Sequence, residues 1–421
     1  MDKGENYEVR DLSLAEQGKK NIQWAMQHMP IMNKIQSRFE AEKPFEGLNI
    51  GLALHVTKET AVLLHALRAG GAKVTIAGCN PLSTQDDVAA ALVEDGFSVY
   101  AYKGETTDDY YRYIEAVLAQ KPNLTIDDGG DLVTMIHTKK PELIESTIGG
   151  CEETTTGVIR LRAMESDGVL KYPVVAVNDN KTKHLLDNYY GTGQSTLDGI
   201  LRSTNILFAG KILVVCGYGD CGKGVALKAA GLGANIVVTE VHPFRALQAY
   251  YDGYRVMPIE EAARIGDVFV TVTGDKNVID LHHMKGMKDG AVLANAGHFD
   301  AEINVSALRE NADSMREMRP FLEEFVLGGK KIFLCAGGRL VNLGAAEGHP
   351  SEVMATSFAG QSLACEYLVK NKGELGAKVI SLPEKIDDEI AGLQLDALGV
   401  KMDTLTAEQE KYLHSWQEGT E

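Results

Sequence analysis

The first third of the chain alternates short apolar runs with amphipathic stretches. LNIGLALH (48–55) reads as a buried strand, and TKETAVLLHALRAGG (57–71) as a helix stopped by two glycines. KVTIAG (73–78), SVYAY (98–102) and NLTIDD (123–128) read as further strands, separated by the helical STQDDVAAALVEDG (83–96) and TDDYYRYIEAVLAQ (107–120). Strand–helix alternation without hairpin signals predicts a parallel sheet covered on both faces. The pattern restarts after YGTGQS (190–195), where Ser195-Thr196-Leu197-Asp198 reads as a capping box opening a helix to about Leu207. Strands follow at KILVVC, NIVVTE (235–240), DVFVTVTG (267–274), AVLANAGHFD (291–300) and KKIFLCAGG (330–338). Near the end, Ile386, Ile390 and Leu393 share a helical face, and Thr406 with Gln409 forms the cap of a last helix. The predicted fold class is α/β: two doubly wound parallel-sheet domains plus a short helical C-terminal tail. The expected boundaries are residues 1–189 completed by 350–381, then 190–349, and a tail over 382–421.

Length and charge narrow the classes of partner. At about 150 residues per domain, 421 residues allow two or three domains. The formal charge of −17 opposes nucleic acid and anionic membranes as partners. No apolar run reaches the ~18 residues of a membrane span, and MDKGENYEVRDLSLAEQ is too polar for a signal peptide. Six cysteines without paired spacing point to a reducing compartment, and a cytoplasmic location is expected.

Gly217-Tyr218-Gly219-Asp220-Cys221-Gly222 has the form GxGxxG, follows an apolar strand and opens a helical pattern. The next strand ends in Glu240, 23 residues beyond Gly217, close to the ~20 of a ribose-binding acid. Such a loop lets a pyrophosphate approach a helix N-terminus. Glu240 accepts from ribose hydroxyls and repels a 2′-phosphate, which favours NAD over NADP, although Arg245 nearby is a residue that can hold that phosphate.

Polar residues also gather at the C-terminal ends of the first-domain strands, where open α/β sheets bind ligands. His55, Thr57 and Glu59 follow one strand, and Thr57 serves equally well as a helix cap. Asp127, Asp128 and Asp131 in IDDGGD fit a solvated loop, a metal site or a ligand-facing turn. Glu152-Glu153-Thr154-Thr155-Thr156 joins two acids to three hydroxyls. Lys183 and Asp187 are spaced i, i+4, as in a surface ion pair. His298 and His349 sit in glycine-containing turns, and no Cys/His ligand set points to a catalytic metal.

Together LHVTKETA, CNPLSTQDD, IDDGGDL, EETTTG, VNDNKTKHLLDNYYG, GYGDCGKG, NAGHFD, GRLVNLG and GHPSEVM, in this order over roughly residues 50–360, closely resemble the S-adenosylhomocysteine hydrolase family. The resemblance implies reversible cleavage of S-adenosylhomocysteine to adenosine and homocysteine with a tightly held NAD, by 3′-oxidation, elimination, water addition and re-reduction. It implies that Lys183, oriented by Asp187, assists at the 3′-hydroxyl. Glu153 binds a ribose hydroxyl, while His55, Asp128 and His298 handle protons at C4′ and C5′. Thr57 and Glu59 select the base, with His349 closing over it. Thr154, Thr155, Thr156 and Asn188 face the nicotinamide. Gly217, Gly219, Asp220, Cys221, Gly222, Lys223 and Gly224 hold the pyrophosphate, and Glu240 holds the ribose. Arg245, Thr273, Asn295, Gly297, His298 and Asn342 complete the cofactor set. The partners implied are small-molecule substrates and further copies of the chain in a homotetramer.

Several positions depart from the family pattern. Thr192 stands where many members carry cysteine, and Arg245 where asparagine is frequent. LHSWQEGTE lacks the Lys/Tyr segment with which members often reach a neighbour's NAD. A hinge is expected at Tyr190–Gly193 and Gly348–Ser351. The competing functions are S-inosylhomocysteine hydrolysis on the same fold and a dehydrogenase with net redox.

Overall fold

A computed structural model describes every residue of the chain except 418, 420 and 421. Its two sheets confirm the α/β class. The first sheet has nine strands, in the order Asp2–Gly4, Tyr7–Val9, Ser98–Tyr100, Lys73–Ala77, Asn49–Ala53, Leu124–Asp127, Gly149–Glu152, Val174–Ala176, Val379–Ile380. The second has eight: Arg255–Val256, Asn235–Thr239, Ile212–Cys216, Val268–Thr271, Ala291–Asn295, Lys330–Cys335, Leu322–Leu327, Ser314–Arg319. In each, the strand order reverses beside a central strand, Asn49–Ala53 or Ile212–Cys216, and such a switch point opens a crevice at the strands' C-terminal ends.

Both faces of the first sheet are covered, so its central strands are apolar throughout. Ile50, Leu52, Ile76 and Ile126 pack with the helices Pro30–Glu42, Lys58–Ala69 and Ser351–Lys370. On the opposite face Tyr113, Val117, Leu132 and Leu161 form a second core. Helix Lys58–Ala69 starts at Thr57, whose hydroxyl accepts from the Thr60 amide, and it buries residues from Glu59 through Leu64. The terminal capping box of Thr406 and Gln409 is present as predicted.

Three sequence expectations change. The first sheet is not wholly parallel, because Asp2–Gly4 and Tyr7–Val9 form an antiparallel hairpin around Glu5-Asn6. The second ends in two antiparallel pairs, one turning at Gly328-Gly329. Ser314–Arg319 is exposed at every position, so it lacks the alternation that marks a half-buried strand. Ser195 is not a helix cap. The segment His184–Gly191 winds as a π-helix directly into helix Thr192–Thr204, leaving no free N-terminus there, and the Ser195 hydroxyl instead accepts from the Asn342 amide.

Beyond residue 350 the chain returns to the first sheet. Val379–Ile380 pairs in parallel with Val174 and Val175, and helix Glu384–Ala397 buries Ile390 in the core that holds Ile50 and Leu52. Replacing Ile390 with alanine therefore removes a fully enclosed side chain. A loss of about 2–5 kcal/mol is expected in chemical denaturation of the purified protein. A change below half a kcal/mol would show that this helix contributes nothing to the first core.

Candidate active site

The crevices of the two sheets face one another across a cavity of about 980 Å3. Single-ligand pockets span ~300–1,000 Å3, so this one has the upper size of that range and two chemically different ends. At the first-sheet end stand His55, Thr57, Glu59, Asp128, Glu153, Lys183, Asp187 and His349, with His298 reaching in from the second sheet. At the other end stand Gly217, Gly219, Asp220, Cys221, Glu240, Arg245 and Thr273. Thr154, Thr155, Thr156, Asn188, Gly297 and Asn342 also line the space.

Lys183 and Asp187 are not a surface pair: both are buried. The Lys183 Nζ donates to Asn188 Oδ1 at 2.8 Å and lies 3.6 Å from Glu153 Oε1 and 3.7 Å from Asp187 Oδ1. Burial opposes the ammonium, but the two carboxylates outweigh it and raise the Lys183 pKa. Burial likewise opposes the Asp187 charge, and Lys183, His349 and the Ser357 hydroxyl reverse the balance and hold it low. Glu153 is pushed up to about 7, with burial the larger effect and Lys183 opposing it. Its Oε2 accepts from the Gln361 amide, while Oε1 is buried without a hydrogen-bond partner. An orphaned buried oxygen of this kind suits a ligand hydroxyl.

Asp128 lies between two imidazoles. His55 Nε2 is 3.3 Å from its Oδ2, and His298 Nδ1 is 3.3 Å from its Oδ1. Burial lowers the His55 pKa to about 4, against the pull of Asp128, so the ring is neutral near pH 7. Its Nδ1 meets Ser83 Oγ at 2.8 Å and Cys79 Sγ at 3.2 Å. The neighbouring acids do other work. Asp127 accepts from the Asp128 and Val133 amides, and Glu152 from those of Gly129 and Thr154. Asp131 pairs with Arg160 at 2.8 Å and accepts from Tyr110. Of the acids in IDDGGD, only Asp128 lines the cavity.

The second end fits a dinucleotide. A Cβ added at Gly219 would meet nothing closer than Arg245 Nη1 at 3.8 Å, so the loop backbone faces open space. Glu240 is fixed by the amides of Val241 and His242 on Oε1 and of Tyr218 on Oε2, and Oε2 keeps a lone pair for a ribose hydroxyl. The Asn342 Oδ1 is buried without a partner. Gly222, Lys223 and Gly224 lie beyond the cavity wall, in the helix Asp220–Gly231. Asn295 also stands apart: it is fully buried, donates to the carbonyls of Gly297, Phe299 and Gly338, and accepts from Thr271 and Gly297. Its amide is saturated, so it shapes the turn carrying His298 rather than lining the cavity. His349 Nδ1 lies 2.8 Å from Asp187 Oδ1, and its Nε2 lies 3.3 Å from Thr192 Oγ1, which also donates to Cys221.

Sequence reading did not identify the helix Ser351–Lys370 as part of the site. Its Ser351, Ser357 and Gln361 donate to Glu59, Asp187 and Glu153 respectively. The available signal was a set of small polar residues within an otherwise apolar helix that is buried over most of its length.

The family models for S-adenosyl-L-homocysteine hydrolase match residues 6–147, and for its NAD-binding domain residues 188–348. The chain is 58% identical to the S-inosyl-L-homocysteine hydrolase of Methanocaldococcus jannaschii, covering 98% of this chain and all of that protein. It is 57% identical to the adenosylhomocysteinase of Saccharolobus solfataricus, covering 99% and 100%, and 55% identical to that of Aquifex aeolicus, covering 98% and 100%. The fold and the divided cavity thus define an NAD-binding enzyme. The chain belongs to the S-adenosyl-L-homocysteine hydrolase family.

Gly129 tests the cluster around Asp128. Its φ is +107°, and an added Cβ would sit 2.5 Å from His298 Nε2. The variant Gly129→Ala is expected to lose at least about a hundredfold in kcat, the low end for displaced acid–base groups, while retaining bound NAD. Wild-type turnover in that variant would show that the His298 contact is dispensable.

Proposed function

We propose that this enzyme cleaves S-adenosylhomocysteine reversibly to adenosine and homocysteine. The observation that carries the reading is the pairing of a dinucleotide crevice with a buried Lys183–Asp187–Glu153 cluster in one cavity, with Asp128 and two histidines beside it. A thioether at C5′ resists direct attack by water. Oxidation at C3′ acidifies the C4′ proton and makes homocysteine a leaving group by elimination.

NAD supplies reversible hydride acceptance at C3′, so net redox over the cycle is zero. Glu153 binds a ribose hydroxyl through its free Oε1. Lys183, held charged by its two carboxylates, assists departure of the 3′-hydroxyl proton by stabilising the developing oxyanion, and the proton passes to the free Oε1 of Glu153. Asp128 removes the C4′ proton. It is assigned this step because it lines the cavity between the two imidazoles, whereas Asp127 and Glu152 lie outside the cavity lining. The proton that Asp128 takes from C4′ passes to neutral His55 or to His298, and the imidazolium so formed protonates the departing sulfur; the neutral ring later deprotonates the water that adds at C5′. Glu59 accepts from the 6-amino group of adenine and repels a 6-oxo group, which separates adenosine from inosine. This matters because relatives of both names share more than half of their residues with the chain.

Residues 1–189 with 350–381 form the substrate unit and 190–349 the NAD unit, with the hinge at Tyr190–Gly193 and Gly348–Ser351. Assembly is as a homotetramer, for which the exposed Leu398, Met402, Leu413 and Trp416 offer apolar contact surface. Among the described residues no helix is long and apolar enough to cross a membrane, and all six cysteines are free thiols, which fits the cytoplasm.

The test incubates the purified enzyme with homocysteine plus adenosine or inosine and identifies the thioether by mass. Product from adenosine, with no net NADH, is expected. Lys183→Met should lower kcat by about a hundredfold or more. No thioether from either nucleoside would overturn the reading, and NADH accumulating in step with product would favour a dehydrogenase.

A further inference from the structure

We propose that Lys58 is a specificity-determining positioning residue: by holding Glu59 as a charged acceptor, it sets the preference for a 6-amino over a 6-oxo purine. This deepens the reading above and rests on it. Lys58 opens the helix whose second residue is Glu59, and its backbone amide is anchored by the Gln85 side chain. Its Nζ lies 3.4 Å from Glu59 Oε1 and 3.1 Å from Glu347 Oε2.

The two oxygens of Glu59 have different surroundings. Oε1 takes both the Ser351 hydroxyl, at 2.6 Å, and the Lys58 ammonium. Oε2 has no hydrogen-bond partner among the described residues, and Glu59 lines the cavity. One oxygen is therefore pinned while the other is presented to a ligand. With only 2% of Glu59 exposed, water does little to support its charge.

The charged and titratable groups around Glu59 are few. Lys58 comes from its own helix, and Glu347 and His349 come from the segment leading into helix Ser351–Lys370. The loop before Asp86 brings only the neutral Gln85, whose amide donates to the Glu347 carbonyl at 3.4 Å. His349 is engaged by Asp187 and Thr192. Glu347 is shared between Lys58 and Arg202 Nη2, at 3.1 Å each. Among the described residues, Lys58 is thus the cation that pairs with Glu59. Burial disfavours its charge, but Glu59 and Glu347 outweigh that and raise its pKa, so the ammonium persists across the working range.

The consequence for selectivity follows from proton inventory. An ionised Glu59 can only accept, which suits a 6-amino group. A protonated Glu59 can donate, which suits a 6-oxo group. Removing the ammonium leaves Glu59 Oε1 with the Ser351 hydroxyl alone, so the carboxylate is no longer pinned with Oε2 presented to the ligand. The barrier against inosine then falls. Arg202 belongs to helix Thr192–Thr204, so the Lys58–Glu347–Arg202 chain also ties the two sheets together across the cavity. Loss of that tie alone would affect both nucleosides alike.

The test measures kcat/KM for adenosine and inosine, with homocysteine, from pH 6 to 8.5, in NAD-loaded wild type, Lys58→Met, Lys58→Gln, Lys58→Arg and Arg202→Met. Wild type and Lys58→Arg should hold a constant adenosine preference. Lys58→Met and Lys58→Gln should lose roughly tenfold of it, the scale of one mispaired buried polar group. Arg202→Met should keep the wild-type ratio, separating base selection from domain contact. The two uncharged variants guard against one failing to fold, with circular dichroism and NAD content as the check. An unchanged ratio in both would overturn the role of Lys58, as would an equal change in Arg202→Met. A wild-type preference for inosine would instead overturn the assignment of Glu59 to adenine.

Discussion

The site depends on keeping several charges out of water at one end of a cavity. Lys183, Asp187 and Glu153 are nearly inaccessible, and none would stay usefully ionised alone at that depth. Their mutual attraction, with the hydroxyl of Ser357 and the amide of Gln361, supplies what solvent would have supplied. The arrangement is asymmetric. Asp187 is fully engaged and held low, whereas Glu153 keeps one free oxygen and sits near neutrality. A charged lysine between a committed and an uncommitted carboxylate can orient a hydroxyl and also tolerate proton movement.

Much of the fold exists to place these groups. The π-helical turn His184–Gly191 carries Asp187 and Asn188 and continues into Thr192–Thr204, so the joint between the sheets is itself part of the site. Helix Ser351–Lys370 returns to the first sheet and reaches Glu59, Asp187 and Glu153 from one side. His349, just before it, pairs with Asp187. A relative movement of the two sheets would therefore change the hydrogen bonding of the reactive groups themselves. Closure about the proposed hinge would thus be coupled to catalytic competence, which would suit a reaction with a keto intermediate shielded from solvent.

The parallel cores were legible because strands buried on both faces are apolar without interruption, as in NIGLA and ILVVC. The glycine loop and Glu240 were legible because strand, turn and acid occur at a fixed spacing. The exposed hairpin strand Ser314–Arg319 was not, since it buries no face and shows no period. The roles of IDDGGD could be separated only in three dimensions: each acid is equally polar in sequence, but Asp127 binds amides, Asp131 binds Arg160, and Asp128 is free for the cavity. Asn295 shows the opposite failure, a residue read as a cofactor contact whose hydrogen bonds are all used internally. Lys58 gave no signal at all, because a lysine in a first helical turn reads as a solvated charge until Glu59 and Glu347 are seen on either side of it.

The central claim is that bond cleavage at C5′ proceeds through oxidation at C3′, and a nucleoside lacking the 3′-hydroxyl tests it most directly. Homocysteine would be incubated with 3′-deoxyadenosine and, separately, with 2′-deoxyadenosine, and the products identified by mass. The account predicts no thioether from the 3′-deoxy compound and slower but definite product from the 2′-deoxy compound, which keeps the 3′-hydroxyl to be oxidised. Thioether formed from 3′-deoxyadenosine would contradict it.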